Sequence, residues 1–290
     1  MGVGSITWMA STWIKKKACA RIPECNFTRY LVNGSRLHHK HRAHSRYHAI
    51  SMLPQSLYRL TKLEKLSLNV EELPDSIGSL SNLEKLSLML CQSLTTIPES
   101  IRNLQSLMEV SLINSSAIKE LPAAIGSLPY LKTLFAGGCR FLSKLPDSIG
   151  GLASFSELEL DGTSISELPE QIGGLKMIEK LHLRKCTSLG ALPEAIGIIL
   201  NLTTINLFGC NITELPGSFG RLENLVILRL DECKMLHKLP VSIVKLKSLC
   251  HLLMEKTAVT VLSENFGNVS SLMILKMQIS LDCVEVLPQL

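Results

Sequence analysis

One repeated phrase constrains this chain more than any other feature. Residues 83–98 read LEKLSLMLCQSLTTIP, and closely similar stretches begin at Leu131 and Leu225. The alternation of apolar residues at Leu86 and Leu88 is typical of a short strand with one buried face. One such strand cannot bury that face by itself. Self-similarity at a fixed period therefore predicts a stack of similar units rather than one closed core.

The other side of each unit has helical spacing. Residues 73–83, LPDSIGSLSNL, place apolar residues three or four positions apart, which predicts a helical turn or a 3-10 segment. Pro74 is expected at its first position and Gly78 is expected to close it. The fold class predicted is an α/β repeat solenoid: a leucine-rich-repeat horseshoe with a parallel β-sheet on the concave face and short helical or 3-10 turns on the convex face. Ten strands are expected, centred on Ser67, Ser87, Ser111, Phe135, Glu159, His182, Asn206, Arg229, Leu253 and Lys276.

Domain organisation follows from where the repeat begins. We expect an array of about ten repeats of 23–24 residues over residues 51–290, incomplete at its C-terminus. Residues 1–50 show no repeat and hold nine Lys or Arg and one acidic residue, which predicts a disordered, basic, His-rich tail. Cys19, Cys25, His38 and His44 loosely resemble a zinc-finger pattern, but their spacing is too wide and the finger's apolar core is missing, so no metal is expected.

Charge and hydropathy exclude several partners. Residues 51–290 hold 21 Lys or Arg and 24 acidic residues, so the basic character belongs to the first 50 residues. We therefore expect no nucleic-acid partner for the array. The mildly apolar stretch near the start is too short to cross a bilayer and lacks the charge order of a signal peptide, so no membrane partner is expected.

Cysteine recurs at one position of the repeat, where Ser115, Thr163 and Thr257 substitute for it. A position that accepts Cys, Ser or Thr favours a small side chain with a weak hydrogen-bonding group in a buried turn. Stacked side chains about 4.7–4.9 Å apart with parallel directions are poorly aimed for a disulfide. We expect reduced thiols and a cytoplasmic or nuclear location. The structural cysteines are Cys91, Cys139, Cys186, Cys210 and Cys233.

The concave face is the expected binding surface of a solenoid. Its middle repeats bring two aromatic side chains and patches of opposite charge together, which favours oriented docking of a protein. The alternative is a variable surface without a native partner. Carboxylates such as Glu157 and Glu159 can act in acid–base chemistry, but no other residue pattern supports an enzyme, and no catalytic residue or cofactor is expected. The candidate partner-binding residues are Phe135, Glu157, Glu159, Asp161, Lys180, His182, Arg184, Asn206, Phe208, Arg229 and Asp231.

The phrase LPxSIGxLxxLxxLxLxxCxxLxxLP, over residues 53–288, resembles the repeats of plant intracellular disease-resistance proteins, especially those joined to a TIR and a nucleotide-binding domain. The alternation of a Cys phrase (RKCTSLGALP) with a Thr-Ile phrase (DGTSISELP) favours this family. Ras-group repeat scaffolds share LPxxIGxLxxLxxLxL but usually have Asn in place of Cys.

The resemblance implies a recognition module of an immune receptor, which senses a pathogen effector or a guarded host protein and restrains the receptor's nucleotide-binding domain. The chain contains no GxxxxGK[ST] phosphate loop, so the nucleotide switch of the family does not carry over. The alternative is a free-standing cytosolic scaffold of the Ras-group type in signal transduction.

Overall fold

The computed structural model describes residues 55–277. The predicted tail (residues 1–50), the zinc-like pattern within it and the predicted incomplete end lie outside the described residues. Ten parallel strands form one open sheet in strictly sequential order, which confirms the predicted horseshoe. The strands are β1 (Lys65–Ser67), β2 (Lys85–Ser87), β3 (Glu109–Ser111), β4 (Thr133–Phe135), β5 (Glu157–Glu159), β6 (Lys180–His182), β7 (Thr204–Asn206), β8 (Ile227–Arg229), β9 (His251–Met254) and β10 (Ile274–Met277).

The strands pair in register, so equivalent positions of successive repeats lie side by side. Leu158 pairs with Leu181, and Leu181 pairs with Ile205. All three side chains are buried, and the largest fully buried side chains are Phe155 and Phe219. Each buried Leu or Ile contributes about 1.5–3 kcal/mol before conformational entropy is subtracted. The residues predicted as strand centres are the last residues of the first eight strands, a shift of one position.

A short 3-10 helix crosses the convex side of each repeat. Pro74 has an extended backbone (φ −77°, ψ 159°) and precedes its helix, so the prediction that it takes the first helical position is wrong. None of the helices in the described part of the chain is long and apolar enough to cross a membrane. The 3-10 helices are Gln55–Arg59, Asp75–Ser79, Glu99–Asn103, Ala123–Ser127, Asp147–Gly151, Glu170–Gly174, Glu194–Ile198, Gly217–Arg221, Val241–Lys245 and Glu264–Asn268.

Gly78 serves the stacking of repeats rather than the end of its helix. It lies within the helix Asp75–Ser79, whose C-cap is Leu80. A Cβ added at Gly78 would lie 2.6 Å from the carbonyl oxygen of Ser100 in the next repeat. A contact this short cannot be relieved by rotating a side chain, because the obstructing atom belongs to the backbone. Glycine therefore allows adjacent 3-10 helices to approach closely.

The cysteine ladder, formed by the structural cysteines of each Cys-type repeat, lies inside the turn that follows each strand. Cys139 Sγ donates to the carbonyl oxygen of Leu112 at 3.1 Å, and Cys210 Sγ donates to that of Leu183 at 2.9 Å. Ser115 makes the same kind of bond through its hydroxyl group, which explains why Ser can replace Cys. These cysteines are all free and buried. The ladder thus ties each turn to the repeat before it. Its members are Cys91, Cys139, Cys186, Cys210 and Cys233.

The residue before the ladder position has a left-handed backbone in eight repeats. At Lys185 and Gly209 the backbone N–H donates to the carbonyl oxygen of Phe208 and Asp231 in the following repeat, at 2.6 and 2.8 Å. Glycine adopts this conformation freely, whereas an L-residue pays about 1–2 kcal/mol. The hydrogen bonds between stacked repeats therefore hold this residue in the left-handed conformation. The non-glycine residues are Leu90, Asn114, Lys185, Glu232 and Lys256, and the glycines are Gly138, Gly162 and Gly209.

The first prediction concerns the inward and outward faces of the strands. Leu181→Asp places an unpaired carboxylate in a continuous apolar stack, and we expect it to lower the free energy of unfolding by about 4 kcal/mol. Thr204→Asp is the control, since Thr204 lies half-buried on the open face beside Lys180. It should change stability by less than about 0.5 kcal/mol. Urea unfolding followed by circular dichroism measures both, and equal losses would show that the faces are misassigned.

The second prediction concerns the reactivity of the thiols. Burial raises the pKa of the Cys139 and Cys233 thiols to about 11, so little thiolate is present at neutral pH. Cys250 is only partly buried. In the folded chain an alkylating reagent should modify Cys250 well before any ladder cysteine, and denaturant should abolish the difference. Peptide mass spectrometry over a time course gives the rates. Equal rates for Cys139 and Cys250 in the native chain contradict this.

Candidate protein-binding surface

The open face of the sheet displays three rows of side chains, one residue from each repeat in every row. The first and third residues of each strand form two rows, as Glu157 and Glu159 do in β5. The second residue after each of strands β1 to β8 forms the third row, because the ladder of backbone hydrogen bonds continues there: Gly138 N–H donates to Asp161 O at 2.7 Å. This grid places most of the predicted binding residues together on strands β4 to β8.

Strands β5 and β6 carry charges of opposite sign next to each other. Glu157 Oε2 lies 3.5 Å from Lys180 Nζ, and its Oε1 lies 3.6 Å from His182 Nε2. In the third row, the backbone N–H of Arg184 donates to Asp161 Oδ1 at 2.7 Å. The Arg184 guanidinium Nε is 3.9 Å from the other oxygen of Asp161. The two patches predicted from sequence therefore touch across one strand boundary.

Glu159 lies at the centre of this charged region without a cationic partner in contact among the described residues. Burial raises the pKa of its carboxyl group, and the charge of Asp161 raises it further. Burial likewise raises the pKa of Asp161, against the opposing effect of the Arg184 N–H. A Cβ added at Gly137 would lie 2.6 Å from Glu159 Oε1, so the missing side chain makes room for this carboxylate. Gly137 therefore helps to shape the site, and the periodicity of the strands does not predict this role.

Phe208 and Arg184 form a second contact of mixed character. The guanidinium carbon of Arg184 lies 5.7 Å from the centroid of the Phe208 ring, within the range of a cation–π interaction. Both side chains remain accessible, Arg184 exposed and Phe208 half-buried. Aromatic and Arg side chains are the most frequent anchors of protein interfaces. The pair thus has the composition of an interface anchor.

Asn206 and Asp231 do not offer free side chains, although the sequence places them on the open face. Each is only 7% exposed. Asn206 Oδ1 accepts the backbone N–H of Phe208 at 3.2 Å, and Asp231 Oδ1 accepts that of Glu255 at 3.2 Å. Their place among the partner-binding residues stays a prediction, and the structure gives each of them little exposed area and a backbone N–H to bind, in its own turn for Asn206 and in the next repeat for Asp231. They position the neighbouring backbone.

Arg229 and Phe135 mark the two ends of the surface. Arg229 Nε lies 3.5 Å from Asp231 Oδ2, an ion pair without hydrogen-bond geometry. Phe135 is half-buried and stands between its register partners Ser111 and Glu159. The candidate surface of this protein is accordingly made by Phe135, Glu157, Glu159, Asp161, Lys180, His182, Arg184, Phe208 and Arg229.

The potential metal-ligating side chains are spread out in the described repeats. Within residues 55–277 there is no group of three or more His, Cys, Asp or Glu side chains that could hold a metal ion. His182 contacts Glu157 rather than a second nitrogen or sulfur ligand. The side chains that the grid brings together are anions, cations and aromatic rings, which suit non-covalent recognition.

Comparison with known proteins agrees with this geometry. The sequence model of a family described as Leucine Rich Repeat matches residues 201–222. A leucine-rich-repeat protein of Leptospira interrogans is similar in structure, with a TM-score of 0.59 and 28% identity over 83% of this chain and 66% of that chain. The chain is a leucine-rich-repeat horseshoe.

Two further structures define the extent of the likeness. The leucine-rich-repeat domain of the type III effector XopL has a TM-score of 0.52 and 27% identity, over 71% of this chain and 65% of that chain. The Toll–Spätzle complex of Drosophila has a TM-score of 0.67 at 20% identity, over 80% and 32%, which is a likeness of fold alone. The horseshoe spans about two thirds or less of each matched chain. No curated protein matches the sequence.

The third prediction tests the environment of Glu159. Its pKa is raised in the folded chain, so the folded chain holds this proton more tightly than the unfolded chain does. The resulting stabilisation is complete below the ordinary pKa of 4.5 and is lost as the pH rises through the raised pKa. Glu159→Gln should therefore raise the melting temperature at about pH 7, and the gain should vanish toward about pH 4.

Glu157→Gln provides the matched control on the same strand. It removes the contacts with Lys180 and His182, so no gain is expected at neutral pH. Differential scanning calorimetry at several pH values measures both variants. A lower melting temperature of Glu159→Gln at neutral pH would show that the ionised carboxylate of Glu159 does not destabilise the folded chain.

Proposed function

We propose that this horseshoe is a protein-recognition module that binds its partner on the concave face of strands β4 to β8. The leucine-rich-repeat fold in general suggests a protein–protein interaction module. The observation that carries the proposal is the direct contact of opposite charges across β5 and β6, with Glu157 against Lys180 and Asp161 against Arg184. Such a pattern orients a partner, and the neighbouring ring of Phe208 supplies apolar area. In this proposal the chain binds and does not catalyse.

The finer proposal is that the module belongs to an intracellular plant immune receptor. The support is the repeat phrase itself, with Cys in the ladder position alternating with Thr-Ile repeats, as in residues 161–169. The partner is then a pathogen effector, a guarded host protein or the receptor's own nucleotide-binding domain. The buried, free thiols of the ladder support a reducing location, the cytoplasm or the nucleus.

The transcript tests the receptor assignment directly. If the reading frame continues upstream of Met1 into a GxxxxGK[ST] phosphate-loop domain, the repeats belong to a receptor. If the open reading frame of the mature transcript begins at Met1, the free-standing scaffold of the Ras-group type is supported instead. The concave-face proposal holds in both cases and is tested separately.

The fourth prediction is kinetic. With a candidate partner identified by proximity labelling, reversing Lys180 and Arg184 to Glu should slow association about tenfold at low salt and weaken its salt dependence. Phe208→Ala should instead speed dissociation about tenfold, which corresponds to the loss of about 1.4 kcal/mol from a desolvated anchor. Surface plasmon resonance separates the two rates.

Matched controls lie outside the concave face. Lys234→Glu reverses an exposed charge in the turn after β8, and Phe141→Ala removes a ring that is 63% exposed in the turn after β4. Both should leave the two rates unchanged. If the controls alter binding while the Lys180, Arg184 and Phe208 variants do not, the partner binds elsewhere on the horseshoe.

A further inference from the structure

A segment leads from each 3-10 helix to the strand that follows it. Equivalent positions of this segment can be compared between repeats to see which surface residues folding requires. Ile198 ends its helix and is 46% exposed, and Leu200, two residues later, is 55% exposed. Folding does not require apolar residues there, because other repeats fold with polar or small ones. The residues equivalent to Ile198 are Ser79, Asn103, Ser127, Gly151, Gly174, Arg221 and Lys245, and those equivalent to Leu200 are Ser81, Gln105, Pro129, Ala153, Lys176, Glu223 and Lys247.

Leu200 opens into a groove that runs across the next two repeats. The groove has a volume of about 730 Å³, with Leu200 and Val244 as its apolar walls. Arg221, Lys245 and Lys247 add three positive charges to its lining. We call this feature the Leu200 groove. It lies on the returning side of the repeats, away from the concave grid.

The charge of the Leu200 groove is unbalanced. Its single acidic residue, Glu223, is paired with Lys247 at 2.9 Å. Arg221 and Lys245 have no ion-pair partner among residues 55–277. The Glu194 carboxylate, outside the groove, interacts electrostatically with Arg221, but three cations against Glu223 leave the groove lining with a net positive charge. An apolar surface rimmed by charge of one sign is a feature of interaction sites rather than of ordinary solvated faces.

The backbone beneath the groove is held in place. Asn224 Nδ2 donates to the carbonyl oxygen of Leu200 at 2.9 Å, and Asn201 Nδ2 donates to that of Lys176 at 2.7 Å. The first bond joins the repeat of Leu200 to the next repeat of the groove, and the second joins it to the repeat before the groove. A ligand would therefore meet a surface already in its binding shape, which lowers the entropic cost of association.

We propose that the Leu200 groove binds an acidic segment of another protein, with an aliphatic side chain of that segment against Leu200 and its carboxylates on Arg221 and Lys245. Charge complementarity requires the acidic partner, and the apolar wall requires the aliphatic side chain. A bilayer surface fits less well because Leu200 lines a recess.

The fifth prediction tests the groove with a defined probe. A fluorescein-labelled peptide containing two leucines flanked by Asp and Glu should bind the full chain, and a peptide with Asn and Gln in place of the acids should not. Leu200→Ser should weaken peptide binding at least tenfold (about 1.4 kcal/mol), because the apolar contact with the peptide is lost. Arg221→Gln should weaken it and reduce its salt dependence. Fluorescence anisotropy at several salt concentrations measures both.

Tyr130→Ser is the matched control, because Tyr130 is 57% exposed on the same returning side but lies three repeats away from Leu200. It should leave peptide binding unchanged, as should Arg184→Glu on the concave face. Amide hydrogen exchange should show peptide-dependent protection in residues 197–203 and 244–250. That result is independent of the concave partner, so failure of either proposal leaves the other standing.

Several outcomes would overturn the groove proposal. Absence of peptide binding, or binding that survives Leu200→Ser and Arg221→Gln together, removes the site. Leu200-dependent sedimentation with vesicles containing phosphatidylserine, in the absence of peptide binding, assigns the surface to a membrane. Concentration-dependent dimerisation lost in Leu200→Ser, measured by analytical ultracentrifugation, assigns it to a second copy. Peptide binding with the expected pattern of variants supports it.

Discussion

Burial of each repeat's leucines against the next repeat is the interaction on which this structure depends. Leu158 lies between its register partners Leu134 and Leu181 of the two neighbouring strands. No repeat closes a core by itself, so stability is a sum of similar neighbour contacts. Because of this arrangement, the outward side chains of each strand contribute little to the stability of the fold. The concave grid is available for recognition because the leucines behind it supply the cohesion.

Polar contacts between repeats specify alignment rather than drive folding. Cys210 Sγ reaches Leu183 O, and the Glu194 carboxylate accepts the backbone N–H groups of Gly217 and Ser218 at 2.9 Å. A buried backbone group without a partner is costly, so a repeat shifted out of register loses these bonds together. Such contacts explain how sequence-different repeats keep one register.

The sequence predicts the strands well and the accessibility of their neighbours less well. Alternation separates buried Leu181 from accessible His182, because a strand turns successive side chains to opposite faces. The burial of Asn206 and Asp231 depends on the turn that follows, whose left-handed residue is as often Lys or Glu as Gly. The Leu200 groove cannot be predicted from the sequence for a different reason. In a chain rich in leucine, an exposed leucine looks like a core residue, and only the three-dimensional stack shows which positions face outward.

Contacts confined to neighbouring repeats also determine how the chain would respond to tension. Pulling on the ends loads every interface in series, and the weakest interface opens first without disturbing the remainder. Each repeat released, such as the 24 residues from Pro74 to Pro98, would add about 80 Å of extended chain. A horseshoe of this kind would therefore lengthen in nearly equal steps and recoil by the same steps. The spacing of the prolines would set the length of each step.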